Sequence, residues 1–225
     1  MSRVLIPASS AEEWKRFLAE PDKHWRRGYS ARALAYCWQQ ADGIPPDVIS
    51  VLSKADRLQG IQAIFVIPEH QVPLPGGVRP SQNDAWVLAQ TPLGLVSMAV
   101  EGKVSEPFGP TVGEWNSESS QGKGKRLRYL CDELGLSFPP PPDARYQLFH
   151  RTASAVIEAK RFRAEDAVML VHSFSPDNEG FDDYRHFTSL FGLQGGVDQT
   201  AAAILPSGLN LHLAWVHGAE KYLDL

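Results

Sequence analysis

The chain has 225 residues, of which 43% are hydrophobic and 21% charged, which is enough apolar material to bury the core of one domain. Its formal net charge of -4 argues against a protein that coats nucleic acid by bulk charge, although it leaves room for a local basic groove. The longest uncharged apolar stretches have the length of a strand, and the first residues lack the apolar region of a signal peptide. Because Cys37 and Cys131 do not make a disulfide framework, we expect a cytoplasmic protein. The length and the short apolar stretches predict one domain over residues 1–225 with no membrane segment.

The first part of the sequence predicts helices. Ser10 and Glu13 form a capping-box pattern, and Leu34, Cys37 and Trp38 recur at the spacing of one helix face. The helices expected here cover residues 10–19, 31–40 and 47–58, with Ser10 and Ser30 as N-terminal caps.

The pattern then changes from helical to strand period. Residues 61–67 form an apolar run of strand length, and two further runs cover residues 83–90 and 95–104. Pro92 and Gly94 mark a turn between the last two runs, which therefore predict an antiparallel hairpin.

The second half of the sequence alternates helices with strands. The Gly, Ser and Pro content of residues 105–124 predicts a mobile loop, and the four prolines at 139–142 predict a stiff spacer. An uninterrupted apolar run at residues 167–174 predicts a buried strand. The remaining elements expected are helices over residues 125–134, 144–162 and 182–192 and a strand over 209–216. A hairpin followed by a helical crossover and a further strand predicts an α/β sandwich with a mixed sheet.

Three polar residues on the predicted hairpin indicate chemistry: Asp84, Glu101 and Lys103. Because side chains alternate across a strand, Glu101 and Lys103 share one face, and the hairpin could bring Asp84 toward them. Two carboxylates and a lysine at a sheet edge can hold a divalent cation beside a water molecule, as in a metal-dependent phosphodiesterase. The alternative is a surface acid in a turn and an exposed Glu–Lys pair on a half-solvated strand.

This order of elements, with these residues on the central hairpin, resembles the PD-(D/E)XK nuclease superfamily. The core of that family is a helix, a three-stranded meander, a helix and a further strand, with an acid on the second strand and E-x-K on the third. Residues 80–84 would supply the first acid, and Glu101-Gly102-Lys103 the E-x-K. The sequence departs from the family pattern because Pro80 is not directly before Asp84 and no acid on the first helix is evident.

The resemblance covers roughly residues 30–175 and implies a restriction-endonuclease-like α/β/α sandwich with a central mixed sheet and extra N- and C-terminal elements. It implies hydrolysis of phosphodiester bonds in nucleic acid, with DNA as the expected partner. Asp84, Glu101 and the backbone carbonyl of Gly102 would bind Mg²⁺ or Mn²⁺, and Lys103 would orient or help deprotonate the attacking water. Glu69 is a further candidate ligand.

Polar residues outside the hairpin are candidates for substrate binding. Gln147, His150 and Arg151 open the long helix at a spacing that places them on one face, and the resemblance implies that such residues line the site. Basic residues expected to steer the nucleic-acid backbone include Lys125 and Arg126, with a second basic cluster at residues 23–27. The alternative for each group is a solvent-facing helix end or loop.

Two other interpretations remain open. The same fold could serve as a non-catalytic binding or assembly module, which the acidic net charge and the missing first-helix acid favour. The chain could also be an unrelated α+β protein.

The histidines form no H-x-x-x-H pair, so a zinc site is not expected, and His172 is predicted to be a hydrogen-bonded core residue. The sequence has neither G-x-S-x-G nor a P-loop, and it leaves the oligomeric state open.

Overall fold

A mixed six-stranded sheet forms the centre of the computed structural model, which describes residues 8–225. The strands in this part of the chain are β1 (Gln62–Pro68), β2 (Gln71–Val72), β3 (Ser81–Gln82), β4 (Ala85–Thr91), β5 (Gly94–Lys103), β6 (Asp166–Ser173), β7 (Gln199–Ile204) and β8 (Asn210–His217). The sheet order is β1-β4-β5-β6-β8-β7, and β2 and β3 pair with each other outside it.

Helices precede the sheet and connect its strands. Those of the described residues are α1 (Pro21–His24), α2 (Ser30–Ala41), α3 (Pro46–Leu52), α4 (Val112–Trp115), α5 (Gln121–Leu134), α6 (Tyr146–Phe162) and α7 (Phe181–Ser189), with 3₁₀ turns at Ala11–Phe17, Asp56–Leu58 and Glu220–Leu223.

The sheet combines an antiparallel meander with a parallel centre. Strand β4 pairs antiparallel with both β1 and β5, whereas β6 pairs parallel with β5 and β8. Because parallel neighbours need a crossover, the segment between β5 and β6 contains α5 and α6. All eight residues of β6 are buried, as expected for a strand with neighbours on both sides and helices over both faces.

Apolar side chains lie on both faces of the sheet, because successive residues of a strand point in opposite directions. On one face, Met98 and Val168 pack in a core that includes Trp38 of α2. On the other face, Met169 of β6 and Phe149 of α6 belong to a second core. The protein is therefore a mixed α/β structure with helices on both sides of a central sheet.

The predicted strands and the longer helices are confirmed, with differences at their ends. The helix expected over residues 47–58 stops at Leu52, and a 3₁₀ turn follows at Asp56–Leu58. The loop expected over residues 105–124 contains α4, which Thr111 caps with a capping box, and the first turn of α5.

Two predicted caps were wrong. The side chain of Ser10 makes no capping bond, and Ser9 instead donates to the Glu13 carboxylate from its backbone and its hydroxyl. Ser30 is the first residue of α2 rather than its cap, and its hydroxyl donates to Glu106 at 2.9 Å. Strand β7 was not predicted, because Gln199–Ile204 is an edge strand of small, partly exposed residues without strict alternation.

Candidate active site

The hairpin brings Asp84 and Glu101 to the same end of the sheet. Pairing between β4 and β5 ends at the pair Ala85–Val100. Asp84 directly precedes Ala85 and Glu101 directly follows Val100, so both residues lie at this end of the hairpin. At this point the backbone N–H of Gly102 donates to Asp84 Oδ2 at 2.7 Å. This bond aims the Asp84 carboxylate at the end of β5.

Glu101 lies at the centre of a polar network, although its side chain is only 3% exposed. Lys103 Nζ donates to Glu101 Oε1 at 2.7 Å, in keeping with the predicted shared face of the strand. Two residues of α6 complete the network, because Gln147 Nε2 donates to Oε1 at 2.7 Å and Arg151 Nε donates to Oε2 at 2.5 Å. Both oxygens of Glu101 are therefore held by donors.

The pKa values of Asp84 and Glu101 are shifted in opposite directions. Burial by itself would raise the pKa of Glu101, but the charges and hydrogen bonds of Arg151 and Lys103 lower that pKa to about 2. Burial and the negative charge of Glu101 raise the pKa of Asp84 to about 7, because Arg151 and Lys103 offset these effects only in part. Glu101 therefore stays ionised at neutral pH. Asp84 takes up a proton more readily than an ordinary aspartate, because it is buried beside the negative charge of Glu101.

Glu69 adds a third carboxylate to this region. It follows β1 with a positive φ of 52°, a backbone conformation that residues other than glycine seldom adopt. Its side chain accepts a hydrogen bond from Gln82 Nε2 at 2.7 Å, and burial together with the charge of Asp84 raises its pKa. Glu69 therefore lines the same cavity as Asp84 and Glu101.

A cavity of about 510 Å³ connects these groups. Its walls include the three carboxylates and Lys103, together with Phe108 from the loop after β5. Lys103 Nζ lies 4.8 Å above the centre of the Phe108 ring, so an aromatic face flanks the lysine charge. The polar residues that line the cavity are His24, Ser30, Glu69, Gln82, Asp84, Glu101, Lys103, Glu106, Tyr146, Gln147, His150 and Arg151.

The substrate-binding residues expected from the sequence separate into two groups. Gln147, His150 and Arg151 line the cavity. Lys125 instead faces a different hollow on α5. Arg126 is buried with its guanidinium bonded to the carbonyl oxygens of residues 74, 75 and 77, so the structure gives it a structural contact and not a place in the cavity.

The oxygen atoms at the end of the hairpin are of the kind that bind a small divalent cation. Carboxylate and carbonyl oxygens are the ligands that Mg²⁺ and Mn²⁺ prefer, and Mg²⁺ needs only one or two carboxylates. In a strand, the N–H and C=O of one residue point to the same side, and those of the next residue point to the other. The Lys103 carbonyl accepts from Phe174 N–H on the β6 side, so the Gly102 carbonyl faces the Asp84 side.

A second group of ligand-type residues lies on the opposite face of the sheet, where atoms of Cys37, Asp47 and His172 are within 4.8 Å of one another. Trp38 Nε1 donates to His172 Nδ1 at 3.1 Å, so the neutral ring carries its proton on Nε2, which faces Asp47 Oδ2 at 3.3 Å. A protonated nitrogen has no lone pair for a metal, and burial raises the pKa of Cys37 to about 12. The contacts support the prediction that His172 is a hydrogen-bonded core residue.

The fold and the site together define an α/β protein with an acidic cavity, at the end of a β-hairpin, whose central carboxylate is paired with lysine and arginine. The chain belongs to the family of a domain of unknown function, DUF6946, whose sequence model matches residues 7–220. Comparison with curated proteins gives no match, and comparison with solved structures gives none either. Across residues 8–225, no helix combines the length and the apolar character needed to cross a membrane.

The sequence did not point to every residue of the site. Ser81 holds His150 from 69 positions away, and Glu106 binds the start of α2 through Ser30. Ser81 lies in the segment of the first acid but had no role assigned there, and Glu106 belongs to no motif, so only the folded chain reveals these contacts. The proline and aromatic content of residues 107–110 was the one local signal that this loop could form a wall.

Proposed function

We propose that this protein is a metal-dependent nuclease of the PD-(D/E)XK type, which hydrolyses phosphodiester bonds in nucleic acid, with DNA as the first substrate to test. The observation that carries the proposal is the 2.7 Å hydrogen bond from the Gly102 N–H to Asp84 Oδ2. It links the acid before β4 to the E-x-K segment of β5, so Asp84, Glu101 and the Gly102 carbonyl are neighbours.

The order of elements supports the proposal. Helix α2 precedes the meander β1-β4-β5, and α5 and α6 lead to β6, which is parallel to β5. That is the order of helix, meander, helix and strand that defines the core of the restriction-endonuclease-like fold. The remaining helices and strands would be the additions at the N- and C-terminal ends.

The carboxylates of Asp84 and Glu101 and the carbonyl of Gly102 would hold Mg²⁺ or Mn²⁺. The formal charges of Glu69, Asp84, Glu101, Lys103 and Arg151 leave an excess of negative charge. Burial, together with the charge of a neighbouring carboxylate, raises the pKa of Asp84 and of Glu69. A divalent cation would remove this excess, so the residues present fit such an ion. When bound, the cation supplies Lewis-acid chemistry that polarises the phosphoryl group.

The side chains of the cavity wall have their own roles in the proposed reaction. Lys103 Nζ is held between Glu101 Oε1 and Gln147 Oε1, at 2.7 and 3.2 Å, so its positive charge has a defined position. In that position Lys103 would orient the attacking water and stabilise the negative charge that develops on the phosphoryl oxygens. Gln147 would act by keeping both Glu101 and Lys103 in place.

A second candidate function is a non-catalytic binding module with the same fold. The observation that favours it is the 2.5 Å bond from Arg151 Nε to Glu101 Oε2, since Arg151 and Lys103 already neutralise Glu101 without a cation. In this interpretation the cavity would bind a ligand without hydrolysing it. The two functions differ in whether a divalent cation binds at Asp84.

The experiment is cleavage of plasmid and single-stranded DNA by the full chain with Mg²⁺ or Mn²⁺. Wild type is compared with Asp84→Ala and Lys103→Ala, with Asp177→Ala and Lys221→Ala as matched controls on exposed residues outside the cavity. We expect cleavage by wild type and both controls and loss of cleavage in the two site variants. Cleavage that survives both site substitutions would refute the assignment of the active site.

Cation binding separates the two candidate functions. If the nuclease proposal is right, Mn²⁺ raises the melting temperature of wild type in a saturable way, and Asp84→Ala abolishes the rise. A melting temperature that does not respond to Mn²⁺, together with no cleavage, would favour the binding module.

A further inference from the structure

Ser81 and His150 form a closed hydrogen-bonded pair in the wall of the cavity. Ser81 Oγ lies 2.8 Å from His150 Nδ1 and donates to the backbone carbonyl of His150 at 3.1 Å. Arg151 Nη1 also points at Ser81 Oγ, at 3.5 Å. The Ser81 side chain is buried, so these contacts are not replaced by bulk water.

This pair favours a proton on Nδ1 of His150. A hydroxyl has one hydrogen, and that of Ser81 is given to the His150 carbonyl. With its hydrogen on that carbonyl, Ser81 Oγ accepts from His150, and in this arrangement Nδ1 is protonated and Nε2 of the neutral ring keeps its lone pair. Burial and the positive charge of Arg151 lower the pKa of His150 well below its usual range, in spite of the opposing charge of Glu101, which keeps the ring neutral at pH 7.

His150 lies in the part of the cavity wall that α6 forms. His150 follows Gln147 by three residues on α6, which places the two side chains on one face of the helix. Gln147 and Arg151 both bond to Glu101, and His150 stands between them in sequence and lines the same cavity. Among the contacts of residues 8–225, no hydrogen bond engages Nε2 of His150, and the residue is only partly buried.

We infer that His150 is a proton acceptor for hydrolysis in this cavity and that Ser81 is the residue that positions it. The inference rests on the proposed nuclease function and adds two residues to it. Lys103 has only donors in use, to Glu101 and Gln147, so it does not supply an acceptor where it lies. Nε2 of His150 does.

The step is a hydrolysis with one water. The water oxygen forms a bond to phosphorus, and one of its hydrogens passes to Nε2 of His150, while the bond from phosphorus to the leaving oxygen breaks. The leaving oxygen takes a proton from solvent, and the imidazolium later returns its proton to solvent. Burial and the charge of Arg151 disfavour the imidazolium, and the anionic carboxylate of Glu101 opposes them only in part, so the ring passes its proton on readily.

The test uses single-turnover cleavage of a short DNA oligonucleotide by the full chain with Mn²⁺. We expect His150→Ala to reduce the rate on the order of 100-fold or more, since general bases contribute effects of that size. Added imidazole should restore part of the rate in His150→Ala and leave wild type unchanged. Ser81→Ala should lower kcat with little change in KM, because the ring loses its orientation and not its contact with substrate.

His186→Ala is the matched control, since His186 lies on α7 outside the cavity, and it should cleave at the wild-type rate with or without imidazole. If wild type cleaves and His150→Ala cleaves equally fast, or is slow and not restored by imidazole, the role of His150 is refuted while the nuclease proposal stands. If wild type itself does not cleave, the nuclease proposal fails and the role of His150 fails with it.

A spectroscopic measurement on wild type tests the geometry independently of cleavage. Nitrogen-15 NMR of histidine-labelled wild type distinguishes the two neutral tautomers of each ring. We expect His150, assigned by its absence in His150→Gln, to be protonated at Nδ1 and unprotonated at Nε2 at pH 7. A resonance pattern with the proton on Nε2 would overturn the inference.

Discussion

Arg151 and Glu101 form a buried ion pair that joins the crossover helix to the central hairpin, with Arg151 Nε 2.5 Å from Glu101 Oε2. The same guanidinium lies 3.9 Å from Asp84 Oδ1, so one arginine reaches both carboxylates of the proposed site. Positive charge from α6 therefore adds to that of Lys103 on β5 and offsets part of the negative charge of the acidic cluster. The pair connects the stability of the fold to the charge of the cavity.

Arg151→Met is expected to destabilise the protein by about 3 kcal/mol without divalent cations, because it leaves a buried carboxylate with fewer partners. Urea denaturation measures the loss. Mn²⁺ should stabilise the variant more than it stabilises wild type, since the cation replaces the missing positive charge. Arg185→Met, which removes an exposed arginine, should change stability by less than about 0.5 kcal/mol.

The double substitution Arg151→Met/Glu101→Gln tests the physical reason for that loss. Removing both charges leaves no uncompensated anion, so the double variant should be more stable than Arg151→Met alone. If the double variant loses the sum of both single effects, the two residues do not act as a pair.

Asp84→Asn should separate stability from cation binding. Asn keeps an oxygen for the Gly102 N–H and removes a charge that Glu101 and Glu69 oppose, so stability without cations should stay within about 1 kcal/mol of wild type. Affinity for Mn²⁺, measured by calorimetry, should fall about 100-fold or more. Unchanged Mn²⁺ affinity would place the cation, if one binds, away from Asp84.

Lys103→Met should act on the reaction rather than on cation binding. The variant keeps the aliphatic part of the side chain beside Phe108, and Arg151 still pairs with Glu101. Cleavage should fall on the order of 100-fold to 1000-fold, the usual cost of losing one group that stabilises transition-state charge. Mn²⁺ binding, followed by thermal shift, should be retained. Loss of binding without a specific effect on rate would assign Lys103 a structural role.

The pH dependence of stability should report on a second buried carboxylate, Asp166, at the opposite end of β6. Arg57 Nε and His212 Nε2 both lie 2.8 Å from Asp166 Oδ1. Although burial opposes ionisation, these hydrogen bonds and charges lower the pKa of Asp166 below its ordinary value of 3.8. A lowered pKa means that the unfolded state binds the proton more readily, so this stabilisation is present above about pH 4 and is lost as pH falls through the folded-state pKa.

Chemical denaturation between pH 6 and pH 3 measures that loss. Asp166→Asn should lower stability at pH 6 by about 1–2 kcal/mol, because it removes the charged acceptor of Arg57 and His212 while Arg57 keeps Glu165, and should flatten the fall of stability with acid. A variant that shows the same acid slope as wild type would mean that other carboxylates account for it.

Local patterns in the sequence were sufficient for the elements that build the site. Alternation along β5 predicted that Glu101 and Lys103 share a face, and their 2.7 Å contact agrees with it. The apolar run of β6 predicted a buried strand, and all its residues are buried. These features depend on the two-residue period of a strand and on burial, both of which can be read along the chain.

The aim of Asp84 depended on tertiary structure. Its place before β4 left the direction of the carboxylate open until the bond from Gly102 defined it. The edge strand β7 likewise forms by pairing with β8, since its own residues have weak strand character. In both cases the partner, and not the local pattern, determines the result.

The sequence by itself determined the order of the longer helices and of the strands β1, β4, β5, β6 and β8, the hairpin, and the shared face of Glu101 and Lys103. Only the tertiary structure decided that Arg151 neutralises Glu101 and that Ser81 holds His150, across separations of 50 and 69 residues. Such contacts arise because the crossover packs α6 against β5 and β3. The position of each charge in the cavity therefore depends on packing between distant segments and not on the spacing of residues along the chain.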